Sequence, residues 1–337
     1  MIKSVLVVAK HIEVVNGASI RVEGLVEGLA SHGYAVKLLT IPRTGNYFFN
    51  AFSNVQNFPS EYDLLKYDCV YIVGLELAPL VSKRSRGIWI LDVCDSVVLS
   101  WWRASKPNPI KLTLGALSRL KLSKFIHRFD LLSYVLEAEM KVDRLLFHKS
   151  RFVVVPNAVN IKFDVGPVAV RQLHKFGFVA DLSYEPNKRA LDWFINEVWS
   201  TETVGNWQMM IFGPSRPSAS LPQGITYVGV VNPLSKVYES VDFTIVPDVI
   251  GTGYKNKLGE SLMARKPVVS TKLGAKGYLA HDGLFVAKNS IEFRSFLKFL
   301  CTEENAIKVQ RAMRRPSLPE NWNVCLDSVA EKLDKTS

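Results

Sequence analysis

The chain has 337 residues, 48% of them apolar, and a formal net charge of +11. That length points to two α/β domains rather than one, and that apolar content supports sizeable buried cores. Four cysteines without paired or metal-ligand spacing speak against a disulfide scaffold or a zinc centre, and no apolar run is long enough to span a bilayer.

Apolar runs at 4–9, 35–41, 68–73, 88–93, 130–135 and 151–155 predict strands, with helical patterns between them. Such alternation gives a mostly parallel sheet with helices on both faces. Only five apolar residues follow Met1-Ile-Lys-Ser before Lys10 and His11, too few for a signal peptide. Cys69 and Cys94 lie in or beside strand-like runs and read as buried free thiols of a reducing compartment, so a cytoplasmic protein is expected. His11 reads as a loop residue near the first strand. Asn16-Gly17-Ala18 forms a polar loop, and Arg21 follows it, directed to a cleft or paired with Glu23 or Asp63.

Asp92-Val-Cys-Asp95-Ser96 ends an apolar run, where a carboxylate can orient or deprotonate a hydroxyl. Asp95 is the candidate for that role; Asp92 fits an Asx turn or a helix cap better. Trp101 and Trp102, just beyond, suit stacking on a sugar, anchoring at a lipid interface, or a plain core. Residues 103–151 carry eleven Lys and Arg against four Asp and Glu, so most of the excess charge sits in one segment. An anionic membrane or acceptor would suit it, with a solvated face as the ordinary alternative. It contains no nucleic-acid recognition motif.

Polar residues and Pro167 break the pattern at 160–168, and a second strand series follows at 175–180, 207–213, 225–228, 243–247, 267–271 and 283–286. The fold class is therefore α/β, with two doubly wound, Rossmann-like domains. Helix 291–312 comes next. Pro316 and Pro319 separate it from a tail in which Trp322, Leu326, Val329 and Leu333 share one helical face.

Residues 243–271 are the most informative. A buried strand leads through Gly251-Thr252-Gly253 into a short helix and another buried strand. Glycines let backbone amides approach a ligand, and the helix turns its positive end towards that loop. Lys255 and Lys257 add two cations, and Glu260 lies about one turn on, within reach of a sugar hydroxyl. Amides and cations for phosphate beside a carboxylate for a polyol suit a nucleotide-sugar. A surface ion pair between Lys257 and Glu260 is the plain alternative.

Gly251-Thr-Gly-Tyr-Lys-Asn-Lys-Leu-Gly-Glu260-Ser-Leu-Met-Ala with Lys266-Pro-Val-Val-Ser-Thr resembles the donor-site signature of family 4 glycosyltransferases. Phe152-Val-Val-Val-Pro-Asn-Ala-Val159 and Phe176-Gly-Phe-Val-Ala-Asp-Leu-Ser-Tyr-Glu-Pro-Asn187 extend the resemblance, as do the opening strand, loop and helix. It implies the GT-B fold, in which two such domains face a cleft. On that basis 1–163 is the acceptor-side domain, 164–313 the donor domain, and 314–337 a tail crossing back to the first. The resemblance implies that Glu260 holds the nucleotide ribose, that Lys188 reaches the donor diphosphate, and that amides near Gly17 assist. Many members carry a first glutamate eight residues earlier, where this chain has Thr252, which leaves the sugar contacts open.

The expected activity is a retaining, metal-independent hexosyl transfer from a nucleotide diphosphate sugar to a hydroxyl acceptor. The acceptor is expected to be a cell-surface glycan precursor, lipid-linked or not, met at the inner face of the plasma membrane. Asp95 and Lys257 are the catalytic candidates, and no cofactor beyond the donor substrate is expected. The chain has no Asp-x-Asp pair to hold a metal–diphosphate, and no two histidines have ligand spacing. A nucleotide-sugar epimerase and a catalytically inactive glycan-binding or scaffold protein are the alternatives.

Overall fold

The computed structural model describes residues 2–10, 17–41, 66–80, 87–96, 98–99, 125–145, 147–148, 150–159, 174–199, 207–278, 280–302, 304–314, 316, 318–319 and 321–335. His11, Asn16, Asp63, Trp101, Trp102 and residues 103–124 of the basic segment lie outside them. The chain forms two compact units. The first comprises Met1–Ala158, Thr252–Tyr254 and Pro319–Ser337; the second comprises Val159–Gly251 and Lys255–Leu318.

The first unit holds β1 (Ser4–Lys10), α1 (Gly17–Ser31), β2 (Ala35–Ile41), β3 (Cys69–Val73), β4 (Ile88–Cys94), β5 (Leu131–Tyr134), α2 (Glu137–Arg144) and β6 (Phe152–Val154). Its strands form one parallel sheet in the order β2-β1-β3-β4-β5-β6. A parallel sheet is covered on both faces, which is why β1 reads as an unbroken apolar run. Alternate β1 residues serve opposite cores. Val5, Val7 and Ala9 pack with Leu25 and Leu29 of α1, whereas Leu6 and Val8 pack with Trp89 and Leu91 of β4.

The tail forms the helix Trp322–Asp334, capped by the Asn321 side chain, which accepts from Val324 N at 3.1 Å. All four residues of its predicted face are buried. They lie against α1, where two glycines make room: a Cβ at Gly24 would stand 1.8 Å from Trp322 Cε2.

The second unit holds β7 (His174–Val179), α3 (Glu185–Trp193), β8 (Trp207–Phe212), β9 (Ile225–Gly229), α4 (Ser235–Glu239), β10 (Phe243–Val246), α5 (Asn256–Met263), β11 (Val268–Thr271), β12 (Leu284–Ala287), α6 (Ser290–Leu300) and α7 (Asn305–Ala312); the tail helix is α8. Its parallel sheet runs β12-β11-β10-β7-β8-β9. The core is aromatic, with Phe176 stacked on Phe243 at 5.0 Å between ring centroids. The chain winds outward in both directions from β7 and β10. The crevice past the carboxyl ends of those two neighbours is therefore the topological switch point, the place where such sheets bind ligands.

Every predicted strand is present, each end within one residue of its expected place. The single helix expected over 291–312 is instead two, α6 and α7. Thr302 Oγ1 donates to Lys298 O at 3.0 Å and Asn305 Nδ2 to Phe299 O at 2.9 Å, so polar side chains take carbonyls near the end of α6.

Candidate functional site

The switch point of the second unit gathers residues from three segments. The loop after β7 is built on Asp181, whose Oδ1 accepts from Ser183 N (2.9 Å), Ser183 Oγ (2.8 Å) and Ser215 Oγ (2.7 Å). Burial works to raise that carboxyl, but the hydrogen bonds from Ser215 and Ser183 outweigh it and hold it below the usual carboxylate range. Asn187, in the first turns of α3, donates Nδ2–H to Asp181 O at 2.9 Å. That bond turns Asn187 Oδ1 towards Lys257, whose Nζ donates to it at 3.1 Å.

The loop after β10 supplies Asp248, which is 1% exposed. Its backbone is fixed from β11, where Thr271 Oγ1 donates to Asp248 O at 2.5 Å. Asp248 Oδ2 stands 3.3 Å from Lys257 Nζ, and Oδ1 stands 4.0 Å from Lys255 Nζ. The Oδ2 contact is an ion pair without hydrogen-bond geometry, so this buried oxygen lacks a hydrogen-bond donor. Lys257 Nζ also lies 4.9 Å from the Phe178 ring centroid. Lys257 is thus held by an amide oxygen, a carboxylate and an aromatic face, with only 12% of its side chain exposed.

Gly251 adopts φ +110°, a conformation closed to most side chains. It leads to α5, whose N-cap residue is Lys255. Lysine has no acceptor atom, so it cannot cap the first-turn amides as Ser or Asp would. The helix's partial positive charge and two ammonium groups are therefore concentrated at one point, with Asp248 beside them.

Glu260 lies on the first turns of α5, half-buried, and accepts from the fully buried Tyr238 hydroxyl at 2.9 Å. Burial pushes its carboxyl above the usual carboxylate range, partly offset by the Tyr238 hydrogen bond and by Lys257. The simple surface pair between Lys257 and Glu260 is not formed, since Lys257 pairs with Asp248 instead.

Lys188 does not join this cluster. It is exposed on α3 and lines a groove with Leu191, Arg216 and Leu221; its neighbour Asn187 makes the contact to Lys257. Gly17 opens α1 in the first unit.

In the first unit Asp95 follows β4 at a strained point, because Cys94 adopts φ +60°. The Thr252–Tyr254 stretch groups with this unit. Thr252 Oγ1 donates to Asp95 Oδ2 at 3.0 Å, and Gly253 N donates to Glu139 Oε1 at 3.1 Å. Gly253 has φ +76°, and a Cβ there would stand 2.1 Å from Asp95 Oδ1, so only glycine fits. Glu139 Oε2 also accepts from Ser96 N at 2.7 Å. Asp143, one turn along α2, accepts from Ser96 Oγ at 2.5 Å and Tyr134 Oη at 3.1 Å.

Arg21 takes neither orientation expected of it. It is 3% exposed and grips Asp92 with two bonds, Nε to Oδ2 at 2.6 Å and Nη2 to Oδ1 at 2.7 Å. Nη1 donates to Val155 O and Asn157 Oδ1. Asp92 is accordingly a buried counter-ion within β4 rather than a turn or cap residue. A fully buried guanidinium needs such a partner, and this pair ties α1 to β4 and to the chain after β6.

All four cysteines are free thiols, and burial pushes Cys69 up to about 12. Among the described residues no His/Cys/Asp/Glu group could hold a metal ion, and no helix is long and apolar enough to cross a membrane.

Residues 174–301, from β7 through the end of α6, match the model of a family described as glycosyl transferases group 1. Sucrose-phosphate synthase from Thermosynechococcus elongatus superposes with a TM-score of 0.73 at 14% identity, over 99% of this chain and all of that one. WaaG, a glycosyltransferase involved in lipopolysaccharide biosynthesis, superposes with a TM-score of 0.68 at 14% identity, over 98% and 99% of the two chains. HepE of Anabaena, solved in complex with UDP, gives 0.65 at 14% identity, over 98% and 100%. No curated protein matches the chain in sequence. The fold is GT-B, and the chain resembles the family 4 glycosyltransferases.

Proposed function

We propose that this GT-B chain, whose second unit carries the group 1 glycosyl transferase match, moves a sugar from a nucleotide diphosphate donor to a hydroxyl acceptor. The observation that carries this reading is the meeting of Lys255, Lys257 and the N-terminus of α5 at the β7/β10 switch point, with Glu260 one turn along. Two cations and a helix dipole match a diphosphate; a carboxylate matches a diol. Structures with similar folds have been solved with UDP and with UDP-glucose, which supports a donor of that class.

In this reading Lys257 and the dipole of α5 neutralise the leaving diphosphate, so the transfer needs no metal ion. Asp95 orients the acceptor hydroxyl from the first unit. The configuration at the anomeric carbon is retained, with the leaving phosphate taking the acceptor proton on the face it departs from. The transferred sugar is a hexose, and the acceptor is a glycan precursor of the cell surface. The basic excess of 103–151 would bring the protein to an anionic leaflet where a lipid-linked precursor resides, at about 1 kcal/mol per cation near the surface.

A thermal-shift screen of nucleoside diphosphates and their sugars tests the donor assignment. A ligand at a hundred times its Kd stabilises the folded state by about 2.7 kcal/mol, so one nucleotide should raise the melting temperature clearly. Product analysis then separates the outcomes. Transfer only when an acceptor is present supports the proposal. A rearranged donor sugar without acceptor indicates an epimerase, and binding without turnover indicates an inactive glycan-site protein.

A further inference from the structure

The start of α5 departs from an ordinary helix. In an α-helix the amide of residue i donates to the carbonyl of residue i−4, so Gly259 N–H is due to meet Lys255 C=O. The Tyr278 hydroxyl stands between them instead. It accepts from Gly259 N at 3.0 Å and donates to Lys255 O at 2.8 Å. Lys255 O also accepts from Leu258 N at 2.9 Å, the shorter step of a 3₁₀ turn.

The space for this hydroxyl exists because residue 259 is glycine. A Cβ there would lie 2.7 Å from Tyr278 Oη and 2.9 Å from Val159 Cγ2. The tyrosine arrives from the turn after β11, where its own amide donates to Ala275 O at 3.0 Å, and its ring packs against the cluster of Leu258, Leu262 and Val246. A residue of the next crossover thus reaches back and holds the first turn of α5 open. The spread turn is the one that carries Lys255 and Lys257 and leads into Glu260. It ends beside the buried Asp248 oxygen that no hydrogen bond satisfies.

We propose that Tyr278 is a positioning residue for the donor diphosphate, acting by keeping this turn in its opened form; the inference rests on the donor-site reading above. Its signature follows from hydrogen-bond accounting. When the hydroxyl is removed, Gly259 N–H and Lys255 C=O can close on each other, so neither is stranded and stability changes little. The turn tightens, however, and the two lysines lose their aim.

The test is Tyr278→Phe, with a panel of nucleoside diphosphates titrated by calorimetry into both proteins and their melting temperatures compared. The nucleotide that binds the wild type should bind the variant about tenfold more weakly, while the melting temperature without nucleotide stays close to that of the wild type. Equal affinity in both proteins would overturn the role of Tyr278 and leave the donor site standing. A parallel fall in affinity and melting temperature would also overturn it, since that marks an ordinary packing residue. If no nucleoside diphosphate binds the wild type, the donor site itself is refuted.

Discussion

Asp248 Oδ2 lies 3.3 Å from Lys257 Nζ, so a lysine assigned to the donor diphosphate already has a buried carboxylate beside it. The carboxylate keeps the cation in place when no phosphate is there. It also competes with the phosphate once one arrives.

That competition can be read in Asp248→Asn. Without ligand the variant should lose about 1–3 kcal/mol of stability, because a nearly buried lysine loses its counter-charge. A bound nucleoside diphosphate replaces that charge, so the loss should shrink at saturating nucleotide. Urea denaturation with and without the nucleotide checks this, and a loss of equal size in both conditions would dismiss the competition.

Glu260 should matter for the donor's nucleoside half. Glu260→Ala is expected to weaken donor binding by about 1–3 kcal/mol, the usual loss when a charged hydrogen-bond partner goes. Tyr238→Phe leaves the carboxylate but removes the hydroxyl that holds it at 2.9 Å, and should cost about 0.5–1.5 kcal/mol. Donor titrations of both variants measure this; unchanged affinity in Glu260→Ala would remove the residue from the site.

Glu260 also gives stability a pH dependence. Burial raises its folded-state value above the ordinary 4.5, so between the two values the folded chain holds a proton that the unfolded chain has released. Stability from this group is therefore fully present below about 4.5 and is lost as pH rises through the folded value. Glu260→Gln abolishes the titration. Relative to the wild type, the variant should gain stability from pH 4 to pH 7. Denaturant midpoints across that range decide it, and a constant difference between the two proteins would contradict the shift.

Arg21 is a structural prediction rather than a catalytic one. Arg21→Met strands Asp92, which is 0% exposed, and should destabilise the first unit by about 3–5 kcal/mol. Calorimetric melting measures the loss; nucleotide affinity of the folded fraction should not change. A loss below about 1 kcal/mol would mean the pair is not buried as described.

The strands were legible in the sequence because parallel sheets buried on both faces write long apolar runs, and β1 and β10 are such runs. The turns at Gly251 and Gly253 were legible because glycine is the residue that adopts positive φ, and the place of Lys255 and Lys257 at the start of α5 was legible from the strand–glycine–helix pattern. What stayed hidden depends on partners distant in sequence. Nothing near Glu139 and Asp143 shows that they are buried, since Ser96 meets both of them and Gly253 meets Glu139 from far along the chain, and α2 otherwise reads as a solvated helix. Arg21 finds Asp92 across 71 residues. Asn187 meets Lys257 where Lys188 does not, and its Pro-Asn setting after β7 was a usable hint of a fixed side chain. Asp248, directly after Val246-Pro247 at a strand's carboxyl end, was another. The break between α6 and α7 escaped because the apolar spacing continues across it while Thr302 and Asn305 end the ladder.

The most direct test of the donor site is calorimetric titration of nucleoside diphosphates into wild type and Lys257→Ala, each in the presence of a metal chelator. One nucleotide should bind the wild type with chelator present, and Lys257→Ala should weaken that binding at least about tenfold, the equivalent of 1.4 kcal/mol. Binding that needs added divalent metal, or that is as tight in Lys257→Ala as in the wild type, would contradict the assignment.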